Sequence, residues 1–242
     1  MAPQQRGGQG GVVAAGRVRR LLVLTAVDVE ARGLARHLGL APVSGPVPRF
    51  GGGNVEIAVV GLAAAQLDAR LTAAPAAGTL VISAGACGAL APELTVGALV
   101  VPETVLAPDG RRLATAPVAG LARRGTLAAV DRVLEDAAAK SRLWLETGAL
   151  AVDMESAVIL DWAARRGLPA AVVRAVSDPA GRGVPADLAR IVQDDGRVRP
   201  LRAVSAVLAR PRALADAMAL RAGAAAALKT VATALGRLQR TL

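Results

Sequence analysis

The chain has 242 residues, a formal net charge of +10, 53% apolar residues and only 1% aromatic ones. That length is enough for one full α/β core. With Phe50, Trp144 and Trp162 as its only rings, the chain has too few to stack on successive bases, so a nucleic-acid partner is not expected despite the charge. The charge sits at the ends: residues 1–20 carry +4 and residues 196–242 carry +8, which leaves about −2 for residues 21–195. Cys87 and His37 are the only cysteine and histidine. An intrachain disulfide and a cysteine–histidine metal cluster are therefore excluded, and a cytoplasmic location is expected.

In chain order, residues 1–20 have charge but no long apolar run and are expected to be a disordered lead-in. Leu21–Ala26 is a first buried strand, and Val29–Leu38 is helical, with Gly39 as its stop. Asp28 and Glu30 lie where that strand gives way to that helix. They admit two readings, a helix-stabilising acidic first turn or carboxylates facing a ligand crevice. His37 reads as a surface residue. Gly51–Gly61 suggests a turn and a second strand, and Ala63–Leu71 a helix. Leu71–Pro92 is uncharged and long, but Pro75, Gly78, Gly85 and Gly88 interrupt it. A buried strand at Thr79–Ser83 running into a glycine-rich turn at Ala84–Leu90 is expected instead of a membrane span. Leu99–Pro102 is a short strand, Asp109–Arg112 a polar turn, Thr126–Leu134 a strand and Glu135–Leu145 a helix.

Gly148–Gly181 is the informative stretch. Asp153 and Glu155 are placed at the start of a helix carrying Val158, Ile159, Trp162 and Ala163. Ala170–Val176 then reads as a strand buried on both faces, with Ser177 and Asp178 at its end. Polar groups outside the carboxyl ends of sheet strands are ligand-site candidates. The plainer alternative is a helix start and a turn cap.

Beyond Gly181 a short helix at Val184–Val192, a polar linker at Gln193–Pro200 and two alanine-rich helices broken near Pro211 are expected. Leu228, Val231, Leu235, Leu238 and Leu242 form one apolar seam, with Arg221, Lys229, Arg237 and Arg240 off it. That helix either packs on its own domain or rests on an anionic membrane. Together these elements predict a single α/β domain at residues 21–192, a central mixed sheet flanked by helices, with a basic helical C-terminal extension at 193–242.

The segments TAVDVEA, VISAGACGALAPELTVGALVVPE, VDMESA and RAVSDPA, in that order, resemble the nucleoside phosphorylase and nucleosidase superfamily, notably the nucleosidases of methylthioadenosine and S-adenosylhomocysteine. The resemblance implies cleavage of an N-glycosidic bond in a homo-oligomer. It assigns Glu30 to activating the attacking water and Asp178 to protonating N7 of the purine, with burial keeping that acid protonated. Met154 and Glu155 would hold the ribose, Ser177 and Arg174 flank the acid, and Gly85 belongs to the glycine-rich turn at the substrate. The family serine of that turn is replaced by Ala86, and its base-stacking phenylalanine falls at Val133. Ser83 stands where phosphorylases carry a phosphate-holding arginine, which favours water over phosphate. No metal or organic cofactor is implied, and inorganic phosphate remains the alternative co-substrate. DAAAKSRLWLETGALAVDMESA, SDPAG followed by VPADL, and the arginine-rich tail are most similar to the hopanoid-associated branch. That branch implies adenosylhopane as substrate and peripheral membrane contact. A non-catalytic nucleoside-binding module is the competing reading, favoured by Ala86 and Val133 and opposed by Glu30, Glu155 and Asp178.

Overall fold

The computed structural model describes residues 18–183 and 213–242, with side chains from 218 onward in the last segment. The lead-in, the helix expected at Val184–Val192, the linker and the first alanine-rich segment lie outside the described residues.

The strands are β1 (Arg20–Thr25), β2 (Ala41–Val43), β3 (Arg49–Gly52), β4 (Val55–Val59), β5 (Thr79–Ala89), β6 (Leu99–Val100), β7 (Thr104–Leu106), β8 (Arg112–Ala114), β9 (Thr126–Ala129), β10 (Ala151–Asp153) and β11 (Ala170–Asp178). The helices are α1 (Asp28–Leu38), α2 (Leu67–Arg70), α3 (Ala137–Thr147), α4 (Ser156–Ala164) and α5 (Ala213–Gln239). One mixed sheet runs β2-β3-β4-β1-β5-β10-β9-β7-β8, with β11 bonded to β5 and β6. β4, β1, β5 and β11 are mutually parallel. Their carboxyl ends therefore open on the same side.

Strand residues alternate between two cores. Leu21, Val23, Ile57, Ile82 and Val173 pack under α1 and α5, whereas Leu22, Leu24, Val81, Val172, Ile159 and Trp162 fill the face under α4. The near-continuous apolar runs read from the sequence follow from this double burial. The α/β fold with a mixed sheet is as expected. In α5, Leu228, Val231, Leu235 and Leu238 are buried in the core shared with α1, and Leu242 packs against it. Met218–Gln239 is apolar and long enough to cross a membrane. It nonetheless covers the sheet, with Arg221, Lys229, Arg237 and Arg240 outward. Gly223 permits the close crossing: a Cβ there would stand 2.0 Å from the Ser177 carbonyl oxygen.

Four expectations are corrected. The glycine-rich segment after Ser83 is not a turn. β5 continues to Ala89, because β11 pairs with it through Gly88 and β10 takes over at Gly88 and Ala89. Asp153 is not in a helical first turn but ends β10, and α4 begins only at Ser156. The helix expected at Ala63–Leu71 is broken, since Ala63 and Ala64 adopt φ of 51° and 49° and only Leu67–Arg70 is α-helical. Finally, the strand expected at Thr126–Leu134 stops at Ala129, where the charged Asp131 and Arg132 leave the sheet.

Candidate active site

β1 ends at Thr25, and after an extended Val27 the chain turns into α1, which places Glu30 in the first helical turn. Its side chain points inward and is buried. Oε1 accepts the Ala86 amide proton at 2.9 Å, while Oε2 has no hydrogen-bond partner among the described residues. Burial pushes the Glu30 carboxyl above its usual range, against the opposing pull of Arg174 and the Ala86 amide.

Arg174, from the middle of β11, is fully buried and joins the site together. Nη2 lies 2.9 Å from Asp153 Oδ2, 3.2 Å from Glu155 Oε2 and 2.9 Å from Ser83 Oγ, and Nη1 donates to the Ala86 carbonyl at 3.2 Å. One guanidinium thus serves Asp153 and Glu155 directly and Glu30 at longer range. This leaves a local excess of negative charge. Burial pushes Glu155 up to about 7, with Arg174 pulling it down and Asp153 and Glu30 raising it further. Burial opposes the charge on Arg174, but Asp153, Glu155 and Glu30 outweigh it and hold the guanidinium firmly ionised.

Backbone geometry makes room for this cluster. Gly85 has φ of 144°, and a Cβ there would fall 2.6 Å from Glu30 Oε1 and 2.9 Å from Arg174 Nη1, so glycine is required on both counts. The strained Ala63 donates its amide to Glu155 Oε1 at 3.1 Å, a left-handed non-glycine conformation of the kind found at functional sites. Asp153 accepts the Ser156 amide at 3.3 Å and also the Ser156 hydroxyl. It thereby supports the start of α4, as the sequence suggested, while also neutralising Arg174.

The second cluster lies at the end of β11. The register shifts between Val176 and Asp178, a bulge that re-aims the side chains there. Ser177 Oγ lies 2.6 Å from Asp178 Oδ1 and 3.2 Å from the Cys87 carbonyl. Asp178 Oδ2 is ion-paired with the Lys140 ammonium, which also donates to the Pro179 carbonyl at 3.0 Å. Lys140 comes from the first turn of α3, whose N-cap Asp136 accepts the Ala139 amide at 2.6 Å. Gly88 faces the pair: a Cβ there would stand 3.0 Å from Asp178 Oδ2 and 3.2 Å from Lys140 Nζ. A cavity of about 110 Å³ opens here, bordered among others by Gly88, Val133, Lys140, Asp153, Met154 and Asp178.

The structure therefore brings Glu30, Gly85, Glu155 and Arg174 into one buried network and Val133, Met154, Ser177 and Asp178 into a neighbouring one. Asp153 touches both. Val133 borders the cavity with an aliphatic surface and no ring. Lys140 and Ala63 escaped the sequence reading. A lysine among alanines reads as a solvated helix residue, and only its burial at 2% exposure reveals otherwise. His37 is exposed and bonds to the Gly33 carbonyl at 2.8 Å. Burial pushes the Cys87 thiol far up, so it stays protonated and inert.

Comparison with known proteins agrees with this fold. The family model described as Phosphorylase superfamily matches residues 120–209. No curated protein matches in sequence. Among solved structures, the 5'-methylthioadenosine/S-adenosyl homocysteine nucleosidase of Helicobacter pylori superposes with a TM-score of 0.67 at 18% identity, covering 94% of this chain and 100% of that one. Futalosine hydrolase of the same organism gives 0.68 at 19% identity, covering 93% and 99%. The S-adenosylhomocysteine nucleosidase of Streptococcus pyogenes, in complex with 5-methylthiotubericidin, gives 0.63 at 18% identity, covering 96% and 99%. The chain has the fold of these nucleosidases and carries the phosphorylase-superfamily sequence pattern over residues 120–209.

Proposed function

We propose that the protein hydrolyses the N-glycosidic bond of a 5'-substituted adenosine and releases adenine. The observation that carries this reading is the pairing of two clusters at the carboxyl ends of parallel strands. Glu30 has a buried, unpartnered Oε2 in one, Asp178 borders a cavity in the other, and Asp153 links them. Cleavage builds positive charge on the sugar and electron density on the leaving base, so a base near the sugar and an acid near the purine act on opposite sides. In this reading Glu30 Oε2 takes a proton from the attacking water. Glu155 accepts the ribose hydroxyls, Met154 packs on the sugar, Val133 covers the base and Asp178 protonates N7. Arg174 and Ser177 hold the carboxylates in place, and Gly85 lets them approach the backbone.

Water is favoured over phosphate because Arg174 is already committed to Asp153 and Glu155. A dianion would meet an excess of carboxylates there. Adenosylhopane is the substrate proposed within this class, with methylthioadenosine or S-adenosylhomocysteine as the alternative. Its supports are the likeness of residues 136–157 and of the arginine-rich tail to the hopanoid-associated branch, together with the exposed basic residues of α5. Those residues suit a cytoplasmic homo-oligomer that touches an anionic membrane peripherally. Incubating the protein with methylthioadenosine, S-adenosylhomocysteine and adenosylhopane, with and without phosphate, and measuring free adenine tests the proposal. Phosphate-independent release with preference for adenosylhopane is expected, and no release from any of them would refute it. The non-catalytic reading would be favoured by tight binding of an adenosine analogue without turnover.

A further inference from the structure

We infer that the acid of this site is the Lys140–Asp178 pair, with Lys140 supplying the proton that Asp178 passes to the leaving base. This rests on the glycosidic-cleavage reading and adds a residue that neither the sequence pattern nor the general reading assigns.

The geometry is specific. Lys140 is 2% exposed, and its ammonium faces Asp178 Oδ2, the Asp178 carbonyl at 3.5 Å and the Pro179 carbonyl at 3.0 Å. Its three protons thus have three acceptors, of which only the carboxylate can accept one outright. A buried lysine is rare without a partner and costly to place, and an exposed one would serve α3 as well. Gly88 leaves the pair uncovered on the cavity side, where a Cβ would crowd both charged atoms. Ser177 occupies the other carboxylate oxygen as donor, so Oδ2 is the oxygen that relays. The other titratable and charged groups facing the pair are Cys87 from β5, Asp153 from β10, Arg174 within β11, Arg132 on the loop after β9 and Arg182, which borders a cavity with Asp178 just beyond β11. None of them is bonded to Lys140 in place of Asp178 among the described residues.

The step balances as follows. The C1'–N9 bond breaks with its electron pair going to the base. Lys140 Nζ gives a proton to the ion-paired Asp178 Oδ2, which passes it to N7, leaving a neutral amine and a carboxylate. Water adds to C1' and gives its proton to Glu30. After the products leave, that proton returns to Lys140 through solvent. Lys140 acts through Asp178 and is a positioning and proton-supplying residue, not one that touches the reacting atoms.

The test compares wild type, Lys140→Arg and Lys140→Met on two substrates. Methylthioadenosine needs a protonated leaving base, and 4-nitrophenyl ribofuranoside needs none. Thermal melting confirms that each variant is folded, and the arginine variant keeps the charge. On methylthioadenosine, kcat is expected to fall about 100-fold in both variants, the scale of a general acid, with KM changed less than about threefold. The alkaline limb of the kcat profile should move to lower pH in Lys140→Met. On 4-nitrophenyl ribofuranoside both variants should keep near-wild-type turnover. Equal losses on both substrates, a change confined to KM, or full activity of Lys140→Arg would overturn the role of Lys140 while leaving cleavage intact. Absence of release by wild type from every nucleoside tested would overturn the cleavage reading and this inference with it.

Discussion

Glu30 and Ala86 are 56 residues apart in the chain and 2.9 Å apart in space, with Glu30 Oε1 accepting the Ala86 amide. The contact fixes one carboxylate oxygen against β5 and leaves Oε2 buried without a partner among the described residues. Only the second oxygen is then free to take a proton.

A Glu30→Gln variant keeps an oxygen for the Ala86 amide and loses the basic one. Steady-state kinetics on a turned-over nucleoside should show kcat reduced about 10²- to 10⁴-fold, the range of a lost general base, with KM nearly unchanged. A change in KM alone would assign Glu30 to binding.

Glu155 gives the pH dependence. Its folded-state pKa is raised to about 7 from 4.5, first by burial, so the folded protein holds that proton more tightly than the unfolded chain does. Its contribution to stability is therefore complete below about pH 4.5 and is lost as pH rises through about 7. Glu30 is raised in the same direction. Binding of ribose hydroxyls needs the ionised carboxylate, so kcat/KM should rise through an acid limb near pH 7 while urea midpoints fall. In Glu155→Gln the decline in midpoint should flatten.

Arg174 is the sole cation bonded to Asp153 and Glu155 among the described residues. Its replacement by Met strands buried carboxylates and should cost about 3–5 kcal/mol of stability in urea unfolding, as broken buried pairs do. Destabilisation under 1 kcal/mol would show that water reaches the cluster.

Helix α5 distinguishes packing from membrane residence. Leu235 is 1% exposed in the core under the sheet. Leu235→Ala should destabilise the protein in solution by about 2–5 kcal/mol, the cost of a core cavity. An unchanged melting curve would mean the helix is docked elsewhere. Arg237→Glu and Arg240→Glu, on the outward face, should leave melting unchanged and weaken binding to anionic vesicles.

Much of this was legible because local chemistry and tertiary role coincide. The valine-rich β11 with a polar end points to Asp178, and the three-and-four spacing of Leu228 to Leu238 marks the buried face of α5. Other features needed the fold. The glycines after Ser83 suggested a turn, yet strands on either side hold them in β5. Asp153 and Glu155, two residues apart, were placed on one helix, whereas β10 ends between them and the arginine that binds both comes from β11. Lys140 carried no signal at all, since its importance depends on Asp178, 38 residues later.

The most direct test is adenine release from methylthioadenosine by wild type and by Asp178→Asn, at matched concentrations of folded protein. Asparagine keeps the size and the Ser177 contact but cannot relay a proton. Release by wild type and a loss of about 10²-fold or more in the variant is the expected result, and wild-type turnover by Asp178→Asn would contradict the assignment of Asp178 as the acid at the leaving base.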